Sequence, residues 1–149
     1  MGCSPKTCTI IFTILHILIG IDECLLFFSD LADKSPKFID FATLFGGLAI
    51  LGVASFGYYS VIHNKSKWVR LYAKLIIAVT IYEVIIMIYI FFGTEKVHPK
   101  EPGETALKMT KGQEALFSCF FILSYIIFAL WHIHAAFAAA NWIEDHSNG

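Results

Sequence analysis

The chain has 149 residues, 57% of them hydrophobic and 15% charged, with a formal net charge of −1. Soluble domains carry about 25% charged residues, so the class is membrane, and the near-neutral balance argues against a nucleic-acid partner, which needs a basic patch. Four spans of about 20 residues each take up most of this length, leaving no room for a soluble catalytic head.

The first hydrophobic stretch, residues 9–29, holds thirteen Ile, Leu and Phe residues and also His16, Asp22 and Glu23. The apolar residues favour insertion by about 4 to 8 kcal/mol together, and each ionised acid near a helix centre costs about 2.5 to 3.5 kcal/mol. Helix 1 is therefore expected to need the other helices. Thr9, Thr13, His16, Gly20 and Glu23 step by four, three, four and three, which puts them on one helical face. In lipid that face should point at its neighbours, where small residues permit close approach and polar side chains pair.

Ahead of this helix, Gly2 follows Met1, but Lys6 stands where the myristoylation pattern wants Ser or Thr. Cys3 and Cys8, just outside a membrane helix, are candidates for palmitoylation. Gly2, Cys3 and Cys8 thus form the lipidation set. Cys3, Cys8, Cys24 and Cys119 contain no C-x-x-C pair and no zinc-ligand spacing. The apolar run is too long for the core of a cleavable signal.

Residues 30–40, with Pro36, read as a turn. Helix 2, about 41–63, carries Gly46, Gly47, Gly52 and Gly57 with Ala49, Ala54 and Ser55, the composition of a helix packed closely on its neighbours. The short basic link NKSKWVR returns the chain into helix 3, about 70–92, with Trp68 and Tyr72 read as interfacial aromatics. Asn64-Lys65-Ser66 matches the glycosylation sequon, but its closeness to the membrane argues against its use. Helix 3 holds one acid, Glu83, and Lys74 near its start can snorkel. Residues 93–113 read as an exposed loop. Helix 4, about 114–140, has Ser118, Tyr125 and His132 seven apart with Ala129 and Ala136 on the same face, and NWIEDHSNG follows as a short tail. The expected architecture is one all-α domain over residues 1–149, a four-transmembrane-helix antiparallel bundle with short loops. The basic link after helix 2 favours both termini in the cytoplasm.

Counting residues from the span ends predicts two polar layers. His16, Ser55 and His132 fall at one level, and Asp22, Glu23, Glu83 and Tyr125 at another. Three readings compete for them. The groups can pair between helices and specify the bundle, at about 0.6 kcal/mol per interaction. They can form a proton or cation pathway, although one four-helix bundle leaves little room for a pore. His16 and His132 can instead hold a haem from opposite sides, with His134 on another face. A metal held by Glu23, Glu83 and His132 is a lesser option and lacks the Glu-x-x-His spacing of di-iron bundles. The reading carried forward has no cofactor and no metal.

The opening CSPKTCTIIFTILHILIGI resembles the start of the lysosome-associated tetraspan transmembrane proteins and their invertebrate relatives. ASFGYYSVIHNKSKWVRLYAKLI is similar to the same proteins where helix 2 turns into helix 3. The resemblance implies a small adaptor of endosomal or lysosomal membranes that binds other membrane proteins. A MARVEL-type tetraspan has the same size and layout. The tail EDHSNG lacks Pro and Tyr ligase-binding motifs, so ubiquitin-ligase recruitment is not carried over.

The resulting expectation is a non-enzymatic tetraspan, acting as adaptor, scaffold or accessory subunit through lateral association with other integral membrane proteins or with itself as a homo-oligomer. The alternative is a structural subunit of a large respiratory or transport complex, and a proton or cation pathway or haem bundle comes third. Endosomal, lysosomal or plasma membrane is favoured, with the mitochondrial inner membrane as alternative.

Overall fold

The computed structural model describes residues 4–33, 37–93 and 111–147. It forms four helices, α1 (Pro5–Asp33), α2 (Phe38–Ile62), α3 (Ser66–Phe92) and α4 (Lys111–Ser147). Each contains a stretch long and apolar enough to cross a bilayer. The chain is an integral, multi-pass, all-α membrane protein. Gly2, Cys3, Pro36 and most of the loop predicted at 93–113 lie outside the described residues.

The helices are longer than the hydrophobic runs, for local reasons. α1 begins at a cap rather than at the apolar run: the Ser4 hydroxyl accepts the Thr7 backbone N–H at 3.2 Å, and Pro5 takes the first helical position, where its missing N–H is harmless. At the start of α2 the Asp40 carboxylate accepts the Lys37 N–H at 2.6 Å. The turn into α3 passes through Asn64 at φ 53°, a left-handed conformation that asparagine tolerates. Lys65 then lies over the Trp68 ring, 4.0 Å from its centroid.

α1 packs on α2 and α4, and α3 packs on the same two. The bundle is therefore a square in chain order with every neighbour antiparallel, and α1 faces α3 across its centre. The apolar core is concentrated at the end that carries the α2–α3 turn. There Val61, Val69, Ala139, Ala140 and Ile143 form one buried cluster, and Tyr72, Ala73, Ile76 and Ala136 another. The alanines of AAFAAA bring α4 close, and the predicted tail is in fact its last two turns. Ile143 is core, and Arg70 of α3 bonds both Asn141 and Glu144. At the same end Lys6 donates to the Asn64 side chain at 2.8 Å.

Glycines govern the α1–α2 contact. A methyl group on Gly20 would lie 2.9 Å from the Gly47 carbonyl oxygen and 2.8 Å from Leu51, so the two backbones touch. Gly52 has nothing near it and faces outward with Ser55. Outside, the bundle is clad in large apolar side chains such as Leu18, Leu25, Phe45, Leu48, Ile81 and Leu123.

Candidate functional site

The inward face of α1 is the one its spacing marks out: Thr9, Thr13, His16 and Gly20 are buried and Glu23 is half-buried. Thr9 and Thr13 turn their hydroxyls back onto the Pro5 and Ile10 carbonyls, which leaves His16 and Glu23 to reach other helices. They are seven residues apart, about 10 Å along the axis. Tyr125 and His132 on α4 have the same separation, so α1 and α4 supply two layers between them.

The first layer is a histidine pair. His16 and His132 are both buried and pack ring on ring, with centroids 4.5 Å apart. Each carries a phenylalanine four residues earlier, in FTILH and FALWH. Because the helices are antiparallel, the phenylalanines stack reciprocally: Phe12 on His132 at 5.2 Å and Phe128 on His16 at 5.3 Å. Nδ1 of His16 donates to the Phe12 carbonyl at 3.1 Å. Nε2 of His132 shares a 2.6 Å hydrogen bond with the Tyr72 hydroxyl of α3, while its Nδ1 is buried without a partner. α2 contributes Gly57, where a methyl group would run into the Tyr72 ring.

Tyr72 is fully buried, a correction to its reading as an interfacial aromatic; Trp68 is exposed beside Lys65. Ser55 is exposed and does not join the layer. The buried serine nearby is Ser60, whose hydroxyl is taken up by the Phe56 carbonyl at 2.7 Å. The haem reading does not fit this arrangement, because a porphyrin must lie between its two axial imidazoles and these rings are in contact. His134 is exposed.

The second layer is a glutamate pair. Glu23 of α1 and Glu83 of α3 meet across the centre of the bundle within hydrogen-bonding reach of each other. α2 makes the room: a methyl group on Gly46 would collide with the Glu83 carboxyl, and one on Gly47 would lie 3.0 Å from Cβ of Glu23 and 3.2 Å from Sγ of Cys24. Tyr125 brings its hydroxyl from α4. One oxygen of each glutamate and the Tyr125 hydroxyl are buried with no hydrogen-bond partner among the described residues. Tyr82, next to Glu83, spends its hydroxyl on the Ala42 carbonyl at 2.8 Å.

Asp22 is not a member of this layer. It is exposed on the outer face of α1, between the exposed Ile21 and Leu25. One helical step of about 100° separates it from Glu23 and puts the two acids in different surroundings. Among the described residues no group of three His, Cys, Asp or Glu side chains could hold a metal ion, and His132 lies a layer away from the glutamates. Of the lipidation candidates, only Cys8 falls within the described residues, half-buried in the first turn of α1.

The core place of Tyr72, the Tyr82 contact, the reciprocal phenylalanines and the separate duties of the glycines were not foreseen from the sequence. The repeated Phe-x-x-x-His was the one legible signal among these. Comparison of the chain with protein-family models, with curated proteins and with solved structures returned no match in any of the three.

Proposed function

We propose that this protein is a non-enzymatic tetraspan that works by lateral association, docking the outer face of α1 against a transmembrane helix of another integral membrane protein as its adaptor or accessory subunit. Asp22 carries the reading. Its carboxyl faces outward about seven residues, or roughly 10 Å, from the end of the span at Ser29. Hydrocarbon offers a carboxyl no hydrogen bond, and an acid near a span centre costs about 2.5 to 3.5 kcal/mol. A helix that presents a Lys, Arg, Asn or Gln at that depth removes the penalty, because polar pairing is what joins helices in lipid. Leu18, Ile21, Leu25 and Leu26 surround it with exposed apolar surface, the rim such a contact needs.

The close α1–α2 backbone contact at Gly20 and Gly47 also supports this reading. It narrows the bundle between the two polar layers and favours a working surface outside the bundle over a pore within it. The test is the native mass of the protein from its own membrane, in mild detergent, with every co-purifying chain identified, for the wild type and for Asp22→Leu. A stoichiometric partner lost in Asp22→Leu, with the bundle still folded, is expected. An unchanged complex, or a monomer in both cases, overturns the proposal. A homo-oligomer dispersed by the same substitution would make the partner a second copy of this chain. An endosomal or lysosomal address remains part of the proposal, to be checked by imaging the tagged protein against organelle markers.

A further inference from the structure

We propose that Glu23 and Glu83, together with the Tyr125 hydroxyl, form a proton-binding site inside the membrane, in which the two carboxyl groups share at least one proton. Two ionised carboxylates in contact repel, and removing each from water costs several kcal/mol. A proton between them removes one charge and turns the repulsion into a hydrogen bond. Among the described residues no other group supplies that compensation. α2 presents Gly46 and Gly47 here, and the nearby Ala42 carbonyl is already taken by Tyr82. α4 presents Tyr125, which is uncharged. On α1 the neighbours are Cys24 and the outward-facing Asp22, itself an acid. The only ion pair among the described residues, Arg70 with Glu144, lies at the other end of the bundle. The histidine pair is a layer away, about 10 Å along the axis.

The unpartnered atoms point to a ligand rather than to plain packing. Glu83 is 3% exposed, yet its Oε1 faces the gap at Gly46 with nothing to bond, and the Tyr125 hydroxyl is likewise buried and alone. Such atoms in hydrocarbon are ordinarily satisfied. Three free oxygens from three helices leave the about six oxygen positions of calcium or magnesium half empty, and no group of three His, Cys, Asp or Glu among the described residues could hold a metal ion. A proton needs only two. This site and the docking face use different groups: Asp22 and Glu23 are adjacent in sequence but point to different sides.

The test is chemical labelling of the full-length protein in nanodiscs with an apolar carbodiimide, which adds to a carboxyl group that carries its proton. The adduct is located by peptide mass spectrometry, in an Asp22→Asn background so that the neighbouring acid cannot be confused with Glu23. Expected is an adduct on Glu23 or Glu83 that falls about tenfold per pH unit once the proton is being lost, and that is indifferent to sodium or magnesium at constant pH. Replacing one glutamate by glutamine should move all labelling to the other. No adduct on either residue at any pH overturns the proposal. Labelling suppressed by sodium or magnesium at constant pH also overturns it, and makes the ligand a metal cation. The wild-type glutamate pair gives the answer even if a glutamine variant fails to fold.

Discussion

Around His16 and His132 the neighbours are rings, whereas around Glu23 and Glu83 they include glycines and one hydroxyl without a partner among the described residues. Both layers draw on all four helices, and in both α2 supplies glycine, Gly57 in one and Gly46 with Gly47 in the other. The difference is in what is left unsatisfied. An imidazole is neutral in one of its ordinary states, and among the described residues stacking and two hydrogen bonds leave one buried ring nitrogen of the histidine layer, Nδ1 of His132, without a partner. Carboxyl groups cannot be stacked into neutrality, and the glutamate layer keeps three orphan oxygens. The histidine layer reads as a fastener between α1 and α4. The glutamate layer is the place where the bundle can take up a ligand.

The largest effects should come from the glycines. Gly46→Leu and Gly57→Leu each put a side chain where the Glu83 carboxyl or the Tyr72 ring lies, and overpacking of this kind costs about 1 to 3 kcal/mol or more. Reversible unfolding in mixed micelles should register both, while Gly52→Leu, with nothing near it, leaves stability unchanged. Equal losses at all three positions would mean that α2 is not the helix that makes room. Next come the histidines. His16→Leu replaces the ring stack by apolar contact and strands no partner side chain, so its loss should be smaller than that of His132→Leu, which also strands the buried Tyr72 hydroxyl at a cost of about 1 to 3 kcal/mol.

Paired substitution separates the layers further. Glu23→Gln with Glu83→Gln keeps hydrogen-bonding capacity and removes the charge problem, so it should change stability by no more than about 1 kcal/mol while abolishing carbodiimide labelling. A large loss of stability would make the acids structural in their ionised form. Tyr72→Phe removes one interhelical hydrogen bond, worth about 0.6 kcal/mol on average in membranes and up to about 1.7, and should shift His132 by NMR without moving the glutamates. The smallest effect belongs to Arg70→Ala. Its pair with Glu144 is about half exposed on both sides, and such pairs contribute about 0 to 1 kcal/mol, so the expected outcome is a slightly earlier fraying of the last turns of α4 in hydrogen exchange.

Much of this was legible beforehand, and for definite reasons. Span lengths set by bilayer thickness gave four helices in an antiparallel order, and the four-three stepping of Thr9, Thr13, His16, Gly20 and Glu23 marked the inward face of α1. Matching depths paired His16 with His132, and Glu23 with Glu83 and Tyr125. Depth carries no information about direction around a helix, however, and that is where Asp22, Ser55 and Tyr72 were misplaced. Asp22 and Glu23 are level in sequence but about 100° apart around the axis. Ser55 shares the depth of the histidines but faces outward, and Tyr72 has the composition of an interfacial residue but the rotation of a core one.

The sequence by itself therefore determined the class, the number and order of spans and the levels of the polar groups, because hydropathy and helical rise are properties of a single chain segment. Only the tertiary structure decided which groups at one level meet. That depends on how far each helix is turned about its own axis, and the turn is set by where glycines on α2 let neighbouring helices come close.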